Sequence, residues 1–349
     1  MSVPGFALDF PVSCNKVSLS FRFLLGLYVI VPLSVLVLWM DQAYFDSALR
    51  NWLPSSPGHF LLFQLFFGTP HIIASNLLLV SNRDYLKTFQ TKIIGMTLFI
   101  AVFFGLGSLV IPYRVLYVIS ACWTVYHVLK QQLGIAKPAC RLPQWAFYLQ
   151  LVGCVGAGIF IYLGVFLKNS LTEEQVLLIA EIARGLTLFL VLATLLCHKH
   201  VKTPFGHAFL WANTLLVVST WYVYSEGYYF IAILIPRLVH DITAYSFYIT
   251  HDANRHGETP RNALFNLAKA FRLPVVVVLP ALSFGLTYLL QAYGDAWVNW
   301  ILQTLFATEF HKAVTLGFIG YLALMHYYTE TFVWTADSPL RRYIRFSGL

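Results

Sequence analysis

Four histidines, His71, His127, His240 and His326, sit inside apolar stretches of sequence rather than in polar loops. A neutral imidazole is a good ligand for zinc, iron or copper. An ionisable side chain in a segment that leaves water is a functional residue by default hypothesis. Adding four to each number gives the same helix face one turn on: Ser75, Gln131, Ala244 and Glu330. Glu330 is suited to bind a metal or to accept from a ligand's N–H, and Gln131 to orient a ligand or a bound water. Asp241 adjoins His240, and Arg237 lies one turn before it in "PRLVHD". They read as an ion pair. The candidate set is therefore His71, His127, His240 and His326 as metal ligands, with Glu330, Asp241 and Gln131 as catalytic or orienting partners.

The spacing excludes several chemistries. There is no HExxH, so an intramembrane zinc protease is not indicated. The clustered HxxxH and HxxHH boxes of membrane desaturases are missing as well. A di-iron centre needs more ligands than four histidines and one glutamate supply. A single bis-histidine haem would leave two histidines unexplained. A mononuclear site of three or four histidines, with room for water, dioxygen or substrate, is what the residues fit.

The elements that must hold these side chains follow from composition. The chain has 349 residues, of which 58% are hydrophobic and 11% charged. Its mean hydropathy is +0.69. A soluble domain carries about 25% charged residues, so this is an integral membrane protein. Its apolar runs suit helices crossing a ~30 Å hydrocarbon layer, and nothing resembles the alternating strands of a barrel. The expected fold is all-α: a polytopic transmembrane helix bundle in a single domain, 1–349. Ten spans are predicted, at 20–40, 59–81, 93–111, 115–136, 144–167, 175–197, 208–224, 228–250, 273–292 and 312–334. Two loop stretches, 262–271 and 295–306, have helical apolar spacing and are expected to lie on the bilayer. No signal peptide is read at the start.

The loop charges orient the bundle. Lys16, Arg83, Lys87, Lys130, Lys137, Arg141, Lys199, Lys202, Arg255, Arg261, Arg341 and Arg342 are among the many basic residues on one side. The other side has few, chiefly Arg50, Arg114 and Lys168. This bias puts both termini in the cytoplasm and makes the number of spans even. It also explains the net charge of +8 without nucleic acid. The four histidines then fall on the second, fourth, eighth and tenth spans, which all run the same way. Each lies about twelve to fourteen residues in, roughly 18–21 Å deep at the helical rise. They share one level.

The remaining histidines read as peripheral. His198, His200, His207, His251 and His256 fall in loops or at span ends, and His59 and His311 at the opposite ends. Interfacial or solvated positions are expected for all seven. Glu181 and Arg184 read as a structural pair on a helix without a buried histidine. Trp123, one turn before His127, is placed to wall a pocket. The five cysteines show no CxxC spacing and read as small core residues.

Four windows together resemble the Brp/Blh family of membrane β-carotene dioxygenases. They are "GTPHIIAS" with His71, "WTVYHVLKQQ" with His127, "IPRLVHDITAYSF" with His240 and "YLALMHYYTETFVW" with His326. That resemblance implies histidine-bound iron and oxidative cleavage of a carotenoid. Two positions depart from the family pattern: Ser75 stands where it has Asp, and Pro236 where it has His. The expectation is a divergent relative, a non-haem iron oxygenase acting on a carotenoid, another isoprenoid or a lipid. Iron is the expected cofactor, with zinc or copper as alternatives. The expected partners are a lipophilic substrate, dioxygen and the lipid bilayer, in a bacterial inner membrane. A transporter or channel, or a haem-binding membrane protein, would use the same histidines. A pathway, however, should scatter polar groups through the depth of the bilayer rather than gather them in one layer.

Overall fold

The computed structural model describes residues 17–55 and 60–348, and nearly all of it is helix. The long helices are α1 (Phe21–Tyr44), α2 (Gln64–Val80), α3 (Arg83–Leu109), α4 (Tyr113–Cys140) and α5 (Gln144–Leu167). They continue with α6 (Glu173–His198), α7 (Pro204–Ser225), α8 (Tyr229–His256), α9 (Val275–Phe306) and α10 (Ile319–Val333). Each predicted span overlaps one of these helices. Lys16 and His59 lie outside the described residues.

Among the described residues six helices are long and apolar enough to cross a membrane: α1, α3, α5, α6, α8 and α9. The other four fall short for physical reasons. α2 is short. α4, α7 and α10 carry buried polar residues, such as Gln132, Asn213 and Thr329, which face other helices. Helices α5 and α6 approach closely because Gly153 has no side chain. A Cβ there would lie 3.3 Å from the Cα of Leu190. The outward face of α6 keeps Leu188, Leu192 and Leu195 exposed at 60%, 61% and 50%, as a surface that meets lipid should be.

The first and last described segments meet. Strand β1 (Ser18–Ser20) pairs in parallel with β2 (Arg345–Ser347), so these segments lie on one face of the bundle. Asn254, near the end of α8, ties them together. It accepts from the Val17 N–H and donates to the carbonyls of Val17 and Tyr343. This face is called the terminal face below.

Two expectations need correction. Residues 295–306 do not form a separate interfacial helix, because α9 runs unbroken for 32 residues. At about 1.5 Å per residue it is longer than a hydrocarbon layer is thick. Gly294, with no side chain, gives the Val314 side chain room to pack against the helix. The other predicted interfacial stretch does form its own helix, Ala263–Ala270, which turns Phe265 and Ala268 inward and leaves Leu267 and Phe271 exposed.

The second concerns His251 and His256, which are fully buried rather than solvated. Helix α8 continues past the predicted span to His256, and the start of α3, the C-terminal segment and helix Ala263–Ala270 cover its end. His251 Nε2 lies 2.8 Å from Tyr85 Oη, and its Nδ1 lies 2.9 Å from Asp252 Oδ1. Arg255 donates to both oxygens of Asp84 and to Tyr85 Oη. His256 stacks on Phe265 and accepts from the Arg261 N–H. His198, His200 and His311 are exposed, as expected. The described cysteines, Cys122, Cys140, Cys154 and Cys197, are free thiols.

Candidate metal centre

His71, His127, His240 and His326 converge from α2, α4, α8 and α10. Their rings close a circuit. His71 to His240 is 5.0 Å between centres, His240 to His127 is 5.1 Å, and His127 to His326 and His326 to His71 are each 4.8 Å. His71, His240 and His326 are fully buried, and His127 nearly so. The four rings thus occupy one layer of the bundle.

The nitrogens are left open. Nε2 of all four residues is buried without a hydrogen-bond partner, as is Nδ1 of His240 and His326. Unpaired buried polar atoms are costly, and so many in one place indicate a missing partner. Ligand atoms of His71, His240 and His326 all lie within 4.8 Å of one another, as do those of His127, His326 and Glu330. A metal held at roughly 2.1 Å by imidazole nitrogens sits roughly 3.2 Å from each ring centre. Neighbouring rings of a four-histidine site are then roughly 4.5–5.2 Å apart. The observed separations fit. The donor set, neutral nitrogen with carboxylate at its edge, suits iron, zinc or copper alike.

Of the four histidines, His71 is backed at Nδ1 by a carboxylate. His71 follows a π-helical turn, Gln64–Gly68, and stands beside Pro70 at the start of the regular helix Thr69–Val80. The π turn and the missing proline N–H interrupt regular backbone bonding there. Arg237 supplies donors at that point: Nε to the Phe67 carbonyl at 3.2 Å and Nη2 to the Gly68 carbonyl at 3.0 Å. The same guanidinium lies 3.2 Å from Asp241 Oδ1, and that oxygen lies 3.1 Å from His71 Nδ1. The expected Arg237–Asp241 pair therefore exists, and it acts on His71 from across the helix interface.

Glu330 and Gln131 also come together. Gln131 Nε2 donates to Glu330 Oε2 at 2.9 Å, and Tyr248 Oη donates to Oε1 at 2.5 Å. One carboxylate oxygen lies 3.7 Å from His127 Nε2 and the other 3.8 Å from His326 Nδ1. Ser75 is buried on the same face, whereas Ala244 contributes only packing. The Glu181–Arg184 pair is formed on the exposed face of α6, away from the histidines.

Two cavities flank the histidine layer. One of about 520 Å³ lies toward the face opposite the termini and reaches Thr69, Ile72, Thr124 and Arg237. The other, of about 340 Å³, lies toward the terminal face and reaches His127, Gln131, Glu330 and Trp123. Trp123 does wall a pocket. Tyr327 lines both cavities; it accepts a hydrogen bond from Thr124 and packs 4.9 Å from the His127 ring.

The sequence reading missed Tyr248 and Tyr327. Tyr248 is eight residues after His240, two turns along the same face, so extending the same-face rule would have found it. Tyr327 adjoins His326 and carries no signal of its own. Comparison with protein-family models, curated proteins and solved structures gave no match.

Proposed function

We propose that this chain is a membrane-embedded, metal-dependent oxygenase that uses non-haem iron and acts on a lipophilic substrate. The observation that carries this reading is the circuit of four buried imidazoles from four helices with unpartnered Nε2 atoms. When bound, iron would supply activation of dioxygen. His71, His127, His240 and His326 would hold it. Asp241 would fix the orientation of His71. Glu330, held by Tyr248 and Gln131, would take or return a proton at the edge of the site. The apolar cavities would exclude water and align a long substrate past the metal.

The motif resemblance to the Brp/Blh family supports a carotenoid or another polyene as the first substrate to try. The reading includes ten crossing helices with both termini on the cytoplasmic side of a bacterial inner membrane. Pairing of β1 with β2 supports an even number of crossings, and the loop charges support the cytoplasmic side.

Co-expression with a carotenoid pathway tests the substrate. Bleached cells that contain shorter aldehydes support cleavage. Unchanged pigment removes carotenoids and leaves an oxygenase for another lipid. Metal analysis of protein purified without a metal-affinity tag tests the centre itself. The expected result is close to one iron per chain.

A further inference from the structure

The cavity on the terminal side holds a feature that the metal does not explain. Three charged residues line it: Lys130, Glu330 and Arg341. Glu330 is already engaged by Tyr248 and Gln131. Lys130 and Arg341 have no carboxylate partner among the described residues. Lys130 Nζ lies 4.8 Å from the centre of the Tyr126 ring. Arg341 uses Nη1 on the Ile344 carbonyl, and its guanidinium lies over the Phe346 ring. Both side chains are half-buried. Burial lowers the pKa of Arg341, so its charge is incompletely solvated. Basic residues at a membrane face commonly reach out to lipid headgroups. These two instead line the cavity that ends at His127.

We propose that the terminal-side cavity binds the anionic head of a long-chain amphipathic ligand, a carboxylate or phosphate held by Lys130 and Arg341, with its chain running past the histidines. This rests on the oxygenase reading for its function and narrows the substrate class within it. Lys130 is three residues beyond His127, roughly 4.5 Å along the helix. A head bound there puts the first carbons of the chain beside the histidine layer. The rest of the chain passes Tyr327 into the larger cavity. A guanidinium and an ammonium in a half-apolar cavity favour an oxyanion over a neutral end, and a charge-assisted hydrogen bond is about twice as strong as a neutral one.

The test uses the full chain in a neutral detergent and a fluorescent C18 polyene as both free acid and methyl ester. The acid should bind at least tenfold more tightly than the ester. Combining Lys130→Gln with Arg341→Gln should abolish that difference while leaving metal content unchanged. If the double variant does not fold, either single variant should reduce the difference. Displacement of the probe by hexadecanoate or by hexadecyl phosphate identifies the head chemistry. Displacement by phosphatidylglycerol in nanodiscs, against a phosphatidylcholine control, assigns the head to a membrane lipid. Equal binding of acid and ester, or a preference that survives in the variants, overturns the proposal. Charge preference without bound metal removes the oxygenase reading but keeps the ligand site. Metal without charge preference does the reverse.

Discussion

His71 and Asp241 meet at 3.1 Å, Nδ1 to Oδ1, where neither side chain reaches solvent. Arg237 Nη2 lies 3.5 Å from the same nitrogen, so a carboxylate and a guanidinium both face Nδ1 and leave Nε2 as the nitrogen free to bind a metal. Arg237 holds that carboxylate and the backbone just before His71 together. The two contacts make the ligand's orientation depend on a residue of another helix.

Asp241→Asn keeps the side-chain volume and removes the charge. It should weaken metal affinity by about 10–100-fold, the usual cost of losing an orienting partner. Competition with a graded series of chelators measures this. Affinity equal to the parent protein would show that Asp241 serves only its ion pair with Arg237.

His251 has a different task. Its partners Tyr85 and Asp252 belong to the network that closes the terminal face. His251→Ala should lower stability by about 1–3 kcal/mol, because it leaves buried polar groups unpaired. Thermal unfolding in detergent should show this, with the metal content of the folded fraction unchanged. Loss of metal from well-folded His251→Ala protein would tie this network to the centre.

Gly164 gives a packing test far from the chemistry. A Cβ there would overlap the Tyr224 ring and hydroxyl. Gly164→Val should therefore destabilise the α5–α7 contact by about 1–3 kcal/mol, as overpacking of a tight site does. The readout is the unfolding midpoint against a Gly26→Val control, since Gly26 has nothing within 4 Å of its virtual Cβ. Equal midpoints would mean that the helices part without cost.

Both termini should report the same compartment. The β1–β2 pairing requires it for residues 18–20 and 345–347, and the loop charges predict the cytoplasm. Reporter fusions at residues 1 and 349 check both statements separately. Opposite signals would contradict the pairing. A shared periplasmic signal would contradict only the orientation.

Much of this arrangement is legible in the sequence. The ten apolar stretches give the ten helices, and counting residues from their ends places His71, His127, His240 and His326 at one depth. The i, i+4 rule brings Gln131 and Glu330 to the same layer. What is not legible depends on contacts between helices. Nothing local says that Asp241 faces His71 rather than solvent, or that Arg237 bonds the backbone of α2. The burial of His251 depends on which segments cover the end of α8, and a histidine near a polar loop looks solvated until they do. The continuity of α9 is hidden because Asn, Gln and Asp near its second half resemble a surface stretch, although no residue there stops the helix.

The most direct test of the account is metal content after single replacement of each of the four histidines. His71→Ala, His127→Ala, His240→Ala and His326→Ala should each lose most of the bound metal while the protein still inserts and folds, and His198→Ala and His200→Ala should keep it. Full metal occupancy in a protein lacking two of the four would place the metal elsewhere and make these histidines packing residues.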